Sequence, residues 1–160
     1  MGTTTNASSG VVPAILWGGL VAGTIDIGAA ATISQLSPIK IMKIVAGGLL
    51  GRSAFEGDAS IATIGMLLQW GMSILIAAIF VVAARRLPGL LRAWVASGVT
   101  YGVVTYFVMN YVVVPLSALG NGSFPRFHLA QFSENMLAMI LFGLIVAYFA
   151  RYCLERAGSA

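Results

Sequence analysis

Residues 61–84 read IATIGMLLQWGMSILIAAIFVVAA, and residues 85–92, which follow, read RRLPGLLR. The first stretch has no charged residue. As an α-helix rising ~1.5 Å per residue, it is long enough to cross the ~30 Å hydrocarbon core of a bilayer. A pair of arginines followed by a Leu-Pro-Gly turn is a typical stop signal for such a helix. The pattern therefore predicts a transmembrane helix that ends in a tight basic turn.

Three further apolar stretches of comparable length predict three more membrane-spanning helices. They lie at residues 12–33, 93–114 and 129–149. All four spans belong to one transmembrane domain over residues 12–150, because too little chain is left for a second domain. Residues 1–11 are small and polar and predict a disordered tail, and residues 151–160 predict a short cytoplasmic tail.

The composition of the chain is that of a protein whose surface faces hydrocarbon. Of its 160 residues, 59% are hydrophobic and only 9% are charged, whereas roughly a quarter of an average soluble domain is charged. The net charge of +4 comes from basic residues that stand singly or in pairs between apolar runs, so no nucleic-acid surface is expected. The predicted fold class is an all-α integral membrane bundle of four transmembrane helices plus one short interfacial amphipathic helix.

The interfacial helix is predicted from the linker between the first two spans. This linker reads SPIKIMKIVAGGLLGRSAFEGD, beginning at Ser37. Ser37 followed by Pro38 is a typical helix start, with a capping hydroxyl and a proline in the first turn. Lys40 and Lys43 interrupt the apolar residues, as in amphipathic helices that lie in the plane of the interface. The predicted helix covers residues 38–52.

The basic residues near the span ends predict the orientation of the bundle. One side carries Arg85, Arg86, Arg92, Arg151 and Arg156, and the other carries Lys40, Lys43, Arg52 and Arg126. Short loops follow the positive-inside rule best, so the short turn at residues 85–92 is given the greatest weight. Both termini are therefore expected in the cytoplasm.

Each predicted span contains at least one polar side chain that hydrocarbon disfavours. These residues are Asp26, Gln69, Asn110, Glu134 and Asn135. With alternating topology, they all fall in the outer half of the bilayer, within roughly 15 Å of its surface. In the fourth span, Glu134 and Asn135 share a face with Gln131 and Ala138, and this face is expected to turn inward. The five residues predict a polar pocket.

Two interpretations of these polar residues remain open. The amide side chains would serve as structural glue by hydrogen-bonding across helices, worth about 1 kcal/mol each. Glu134 would either anchor its end of the span or pair with Arg126 or His128. Asp26 is the strongest functional candidate, since a carboxylate at that depth costs at least about 3 kcal/mol and has to be protonated, paired or beside water.

Small residues predict where the helices touch. Gly19 and Gly23 share a face with Asp26 in the first span, and Gly98 and Gly102 are one turn apart in the third. Pairs of small residues four positions apart let helix backbones approach closely in membranes. The polar residues therefore lie on faces that are expected to turn toward other helices.

Residues typical of catalysis or metal binding are scarce. His128 is the single histidine and Cys153 the single cysteine, so neither a multi-histidine metal site nor an internal disulfide is expected. The chain has no phosphate-binding glycine loop and no Ser/His/Asp arrangement. It is therefore predicted not to be an enzyme and to need no metal or cofactor.

Four stretches of the chain carry a resemblance to a known group of proteins. They are GGLVAGTIDIGAA, SPIKIMKIVAGGLLGRSAFEGD, AARRLPGLLR and YFVMNYVVVPLSAL. Together they resemble a large group of uncharacterised bacterial inner-membrane proteins. More loosely, the combination of a G-x-x-A-G first span, a Ser-Pro after it and an Asn-x-x-x-x-Pro third span is similar to the YagU-like family. The resemblance implies a four-helix protein of the bacterial plasma membrane, and it implies no catalytic residue.

Two functional hypotheses follow. In the first, the chain is a small bundle embedded in the lipid bilayer, either a homo-oligomer or docked to other membrane subunits, whose outer polar pocket handles protons or a small polar solute. In the alternative, it is a purely structural or accessory subunit of a larger membrane complex, and its polar groups only specify packing. No nucleic-acid partner is expected.

Overall fold

The structure is a computed structural model that describes residues 10–120 and 129–158. Within these ranges it contains helices and no β-strand. The helices are α1 (Val11–Ser34), α2 (Pro38–Leu50), α3 (Ala59–Arg86), α4 (Gly89–Arg92), α5 (Trp94–Val108), α6 (Val114–Leu116) and α7 (Leu129–Gly158). A 3-10 turn, Gly51–Phe55, follows α2, and a π turn, Met109–Val113, joins α5 to α6.

Four of these helical stretches are long and apolar enough to cross a membrane. They are Val11–Ser34, Ala59–Arg86, Trp94–Leu116 and Ala130–Gly158. This confirms the predicted all-α bundle with four candidate membrane-spanning helices. By the length and composition of these helices, the chain is a membrane protein.

The fourth spanning helix is longer than its sequence pattern predicts. The predicted span covers residues 129–149, but the following stretch, predicted as a tail, is helical as far as Gly158. The side chains of Arg151 and Glu155 are one helical turn apart, and Nε of the arginine lies 3.1 Å from Oε1 of the glutamate. Ion pairs at this spacing stabilise a helix, and they help to explain why α7 continues beyond its apolar part.

The first helix, α1, is the central element of the bundle. It packs against α3 on one side and α7 on the other, and α5 packs against α7. Aromatic side chains link α3 to α5. The ring centroids of Phe80 and Tyr101 lie 5.0 Å apart. The hydroxyl of Tyr101 also donates a hydrogen bond of 2.7 Å to the carbonyl of Ile76. These contacts close the ring of four spans.

The two ends of the bundle carry different groups. We call the end that holds the basic turn after α3 the Arg end, and the end that holds α2 the short-helix end. The half next to the Arg end contains the main core, whose residues are each at most 3% exposed. Its members are Ala14, Ala22, Ala77, Phe80, Val81, Ala84, Phe142, Val146, Ala147 and Ala150. They come from α1, α3 and α7, so this core fixes these three helices together.

The short helix α2 connects three of the spans at the other end. The hydroxyl of Ser37 accepts a hydrogen bond of 3.4 Å from the backbone N–H of Lys40 and caps the helix as predicted. Its inward face buries Ile41 and Met42 against Ile27 of α1 and the first turns of α3. At its C-terminal end, Gly48 accepts a backbone hydrogen bond of 2.8 Å from Ala118, which follows α6.

The short helix ends slightly earlier than predicted. Helix α2 stops at Leu50, and Gly51 then adopts a positive φ of 70° and starts the 3-10 turn. Only glycine adopts this backbone conformation without steric cost. The predicted range of 38–52 therefore includes the first two residues of that turn.

Candidate functional site

The carboxylate of Asp26 and the amide of Gln69 form a hydrogen bond between α1 and α3. The Nε2 of Gln69 donates to Oδ2 of Asp26 at 2.9 Å, and both side chains are half-buried. The two residues are far apart in the sequence, so the packing of the two helices alone brings them together. This pair is the centre of the candidate site.

Close approach of the two helices depends on two glycines of α1. A Cβ atom added at Gly19 would lie 2.6 Å from Cα of Ile74, and one added at Gly23 would lie 2.8 Å from Cβ of Ser73. Neither distance is compatible with a side chain. Both glycines are one or two turns before Asp26 on the same helical face, so the contact they permit also aims Asp26 at α3.

The second oxygen of the Asp26 carboxylate is not used in the contact with Gln69. Among the described residues, none donates a hydrogen bond to Oδ1. The same part of the chain has no enclosed side-chain oxygen or nitrogen that lacks a partner. Oδ1 of Asp26 is therefore not fully enclosed by the described residues.

A second polar contact lies beside the first one. The indole Nε1 of Trp70 donates to the hydroxyl of Thr24 at 3.2 Å, and that hydroxyl donates to the carbonyl of Leu20 at 2.7 Å. Sequence reasoning missed Thr24 and Trp70. The available signal was the tryptophan itself, because tryptophan usually lies near the ends of spans and this one is well inside α3, next to Gln69.

Asn110 does not join the Asp26–Gln69 pair. Its Nδ2 donates to the carbonyl of Tyr106 in its own helix at 2.9 Å. The residue belongs to the π turn, in which the N–H of Val114 bonds to the carbonyl of Met109, five residues earlier. This turn directly precedes Pro115, which has no N–H and whose ring would clash with a carbonyl of a regular α-helix. The observed bond of Asn110 is thus local to an irregular turn.

Glu134 and Asn135 are also separate from the pair. Within the described ranges, neither residue forms a hydrogen bond or ion pair, and Glu134 is exposed. Glu134 shares a face of α7 with Leu137 and Leu141, which are 65% and 46% exposed. The inward face of α7 instead carries the core residues. The five predicted pocket residues therefore do not form one hydrogen-bonded group, and the predicted partners of Glu134, residues 126 and 128, lie outside the described ranges.

The two glycines predicted for the third span lie against α7. A Cβ atom added at Gly98 would be 3.0 Å from Cα of Leu144, and one added at Gly102 would be 2.7 Å from Cα of Ile140. The backbones of α5 and α7 are in direct contact here, which only small residues allow. This contact sets the position of α7 relative to the rest of the bundle.

Metal ligands are sparse around the site. In the part of the chain that the structure describes, no group of three or more His, Cys, Asp or Glu side chains could hold a metal ion. The chemistry that the pair offers is therefore that of one carboxylate and one amide.

Comparison of the chain with known protein families, with curated proteins and with solved structures finds no match. The function proposed for this bundle rests on its own residues.

Proposed function

We propose that the chain is a small membrane protein that binds and releases a proton at Asp26, alone or together with a small polar solute. The observation that carries this proposal is the hydrogen bond between Asp26 and Gln69 inside a spanning helix. Ionisable side chains in spans are rare, and they mark proton relays and solute paths. Here the partner is a neutral amide.

An amide partner suits a carboxyl group that changes its protonation state. Arginine or lysine beside Asp26 would hold the carboxylate in its charged form. Gln69 offers both a donor and an acceptor, so it donates to the carboxylate and, with its amide turned, accepts from the carboxylic acid. Asp26 therefore keeps a hydrogen bond in both states.

We propose that protons reach Asp26 from the short-helix end. The core next to the Arg end is close-packed and apolar, and a proton cannot pass it without a chain of polar groups or water. Asp26 is closer along α1 to the short-helix end, so this is the proposed side of entry. With the predicted topology, this is the outer face of the membrane, and release to the other face requires the helices to rearrange.

The same proposal covers the setting of the protein. We place it in a bacterial inner membrane with both termini in the cytoplasm, as a protein without enzymatic activity. Four spans with a close-packed core leave little room for a solute path, so we propose that it works as a homo-oligomer or with other membrane subunits.

The topology can be tested with single cysteines. Gly89→Cys at the Arg end and Ser53→Cys in the 3-10 turn are both exposed positions, and a Cys153→Ala background removes the natural thiol. We expect a membrane-impermeant maleimide to label Ser53→Cys in intact cells and Gly89→Cys only after the membrane is opened. Labelling of both positions from the same side would contradict an odd number of spans between them.

A structural or accessory role is the second candidate. It is favoured by the Thr24–Trp70 hydrogen bond, which lies in the same contact as Asp26–Gln69 and has no ionisable group. Two polar bridges in one helix contact are an efficient way to fix its register. In this case, Asp26 would remain protonated and act only as a hydrogen-bond donor or acceptor.

The substitution Asp26→Asn separates these candidates. Asparagine is nearly isosteric and still hydrogen-bonds Gln69, so we expect the free energy of unfolding to change by less than about 1 kcal/mol. Proton uptake into proteoliposomes, followed with an internal pH-sensitive dye, should fall by about tenfold or more because the titrating group is gone.

The matched control is Glu134→Gln, which removes a carboxylate from the same half without touching the pair. We expect it to keep both stability and proton uptake. Wild-type protein without uptake under any imposed gradient would contradict the proton proposal, and equal uptake by Asp26→Asn would contradict the role of Asp26.

A further inference from the structure

The outward side of α2 borders a cavity at the short-helix end, separate from the Asp26–Gln69 pair. The cavity has a volume of about 310 Å³. It is lined by Leu36, Lys40, Lys43, Ile44 and Phe55. Among the described residues, the lining thus combines two cations with three apolar side chains and includes no carboxylate.

The two lysines are placed to bind an anion. Lys40 and Lys43 are three residues apart on α2 and therefore lie on the same side of the helix. The Nζ of Lys43 donates to the carbonyl of Gly57 at 2.7 Å, which fixes that ammonium group and leaves two of its N–H groups available. Among the described residues, neither lysine forms an ion pair, although Glu56 and Asp58 flank Gly57 in the sequence.

The surface around the cavity is apolar and exposed. Ile44 is 41% exposed and Phe55 is 49% exposed, and both line the cavity. Further along, Leu49 is 65% exposed and Leu50 is 41% exposed. Because the other face of α2 packs against α1 and α3, this apolar surface is directed away from the bundle.

We propose that this cavity binds the headgroup of an anionic phospholipid, with the acyl chains lying along the exposed apolar surface of α2. The phosphodiester would accept hydrogen bonds from the two lysines, and the first acyl carbons would contact Ile44 and Phe55. A zwitterionic choline headgroup fits less well, since it brings a cation beside two ammonium groups. A free phosphate would use the lysines but leave the apolar side chains of the cavity in contact with water.

The experiment measures lipid binding to the full-length protein purified in a neutral detergent. The probes are phosphatidylglycerol, phosphatidylcholine with the same acyl chains, and inorganic phosphate. Bound lipid is counted by native mass spectrometry, and thermal melting is followed in parallel. We expect phosphatidylglycerol to bind and to raise the melting temperature, while phosphatidylcholine and phosphate do neither.

The variants Lys40→Gln and Arg52→Gln provide the matched comparison. Both residues are exposed cations at the short-helix end, but only Lys40 lines the cavity. Within residues 10–120 and 129–158, the Lys40 side chain forms no hydrogen bond or ion pair, whereas Lys43 is bonded to Gly57, so Lys40 is the safer position to change. We expect Lys40→Gln to weaken phosphatidylglycerol binding about fivefold, Lys40→Glu roughly twentyfold, and Arg52→Gln less than about twofold.

Three results would overturn the proposal. Equal binding of the two lipids would show that the surface does not select charge. Equal weakening by Lys40→Gln and Arg52→Gln would show general attraction to the membrane surface instead of a site. Stabilisation by inorganic phosphate as strong as by phosphatidylglycerol would identify the ligand as a free anion.

Discussion

The half of the bundle next to the Arg end and the half next to the short helix are held together by different contacts. In the first, Ala77, Val81 and Val146 are completely buried and interlock with other apolar side chains of three helices. In the second, a smaller apolar cluster of Ile27, Ile41 and Met42 lies beside the half-buried pair Asp26 and Gln69, which is joined by a hydrogen bond. The first half resembles the interior of any close-packed protein, and the second combines apolar packing with polar contacts between helices.

This difference separates the task of holding the helices from the task of binding. A close-packed core transmits any change in volume to its neighbours, so it tolerates little rearrangement. A carboxylate with an amide partner keeps a hydrogen bond in both protonation states. Proton binding at Asp26 therefore leaves the apolar half in place, whereas release to the opposite face requires that half to rearrange.

The largest loss of stability is expected when a side chain is added where the backbones of α5 and α7 are in contact. In Gly102→Leu, the new side chain would overlap the backbone of α7 near Ile140, next to the core. We expect the free energy of unfolding to fall by about 3 kcal/mol or more, measured by thermal melting and size-exclusion chromatography in detergent. Gly71→Leu is the control, because Gly71 is exposed and a Cβ there meets nothing within 4 Å. Equal melting temperatures for the two variants would mean that α5 does not contact α7 as described.

A smaller effect is expected when the polar half loses its amide. Gln69→Leu keeps a similar volume but removes the partner of Asp26, which should cost about 1–2 kcal/mol and impair proton uptake. The matched control is Gln131→Leu, which makes the same change at an exposed glutamine on α7. If Gln69→Leu were as stable as its control and took up protons normally, the hydrogen bond between Asp26 and Gln69 would contribute to neither stability nor proton uptake.

The smallest effect is expected in the π turn. Asn110→Ala removes the side-chain bond to the carbonyl of Tyr106, and a bond of this kind is worth about 0.6 kcal/mol in a membrane protein. Backbone amides at 109–113 should exchange hydrogen faster, as measured by mass spectrometry. Asn135→Ala is the reference, since Asn135 has no hydrogen-bond partner among the described residues. Unchanged exchange in Asn110→Ala would show that Pro115 alone maintains the turn.

The four spans could be predicted from sequence because their signal is local. Length and hydropathy decide whether a helix can cross a bilayer, and neither depends on which helices are neighbours. The positions of Asp26 and Gln69 along their spans were readable for the same reason. Their hydrogen bond was not, because it depends on α1 lying beside α3, and an apolar bundle has several possible orders of helices.

The fourth span shows a second limit of sequence reasoning. Its polar residues at the start were expected to mark the inward face, but Gln131 and Glu134 are exposed. The buried face is marked by small residues instead, namely Gly143, Ala147 and Ala150. In a membrane, close approach of backbones stabilises helix contacts more reliably than a polar side chain does, so the small residues were the better signal.

The π turn could not be predicted from the sequence, for a different reason. Pro115 signals an interruption of the third span, but a proline is accommodated by a kink, a break or a wider turn. The sequence does not distinguish these outcomes. The role of Asn110 as a pocket residue was an open prediction, and the structure gives its side chain a partner in its own helix.

The spanning helices differ in length, and this difference affects how the protein adapts to membranes of different thickness. Helix α7 has 30 residues and α1 has 24, which correspond to about 45 Å and 36 Å against ~30 Å of hydrocarbon. The surplus of α7 is at its C-terminal end, where Arg151 and Glu155 replace apolar side chains. A thicker bilayer would cover more of this end and a thinner one would uncover it, while α2 stays at the opposite interface. Hydrophobic mismatch would thus be absorbed at the Arg end, away from Asp26.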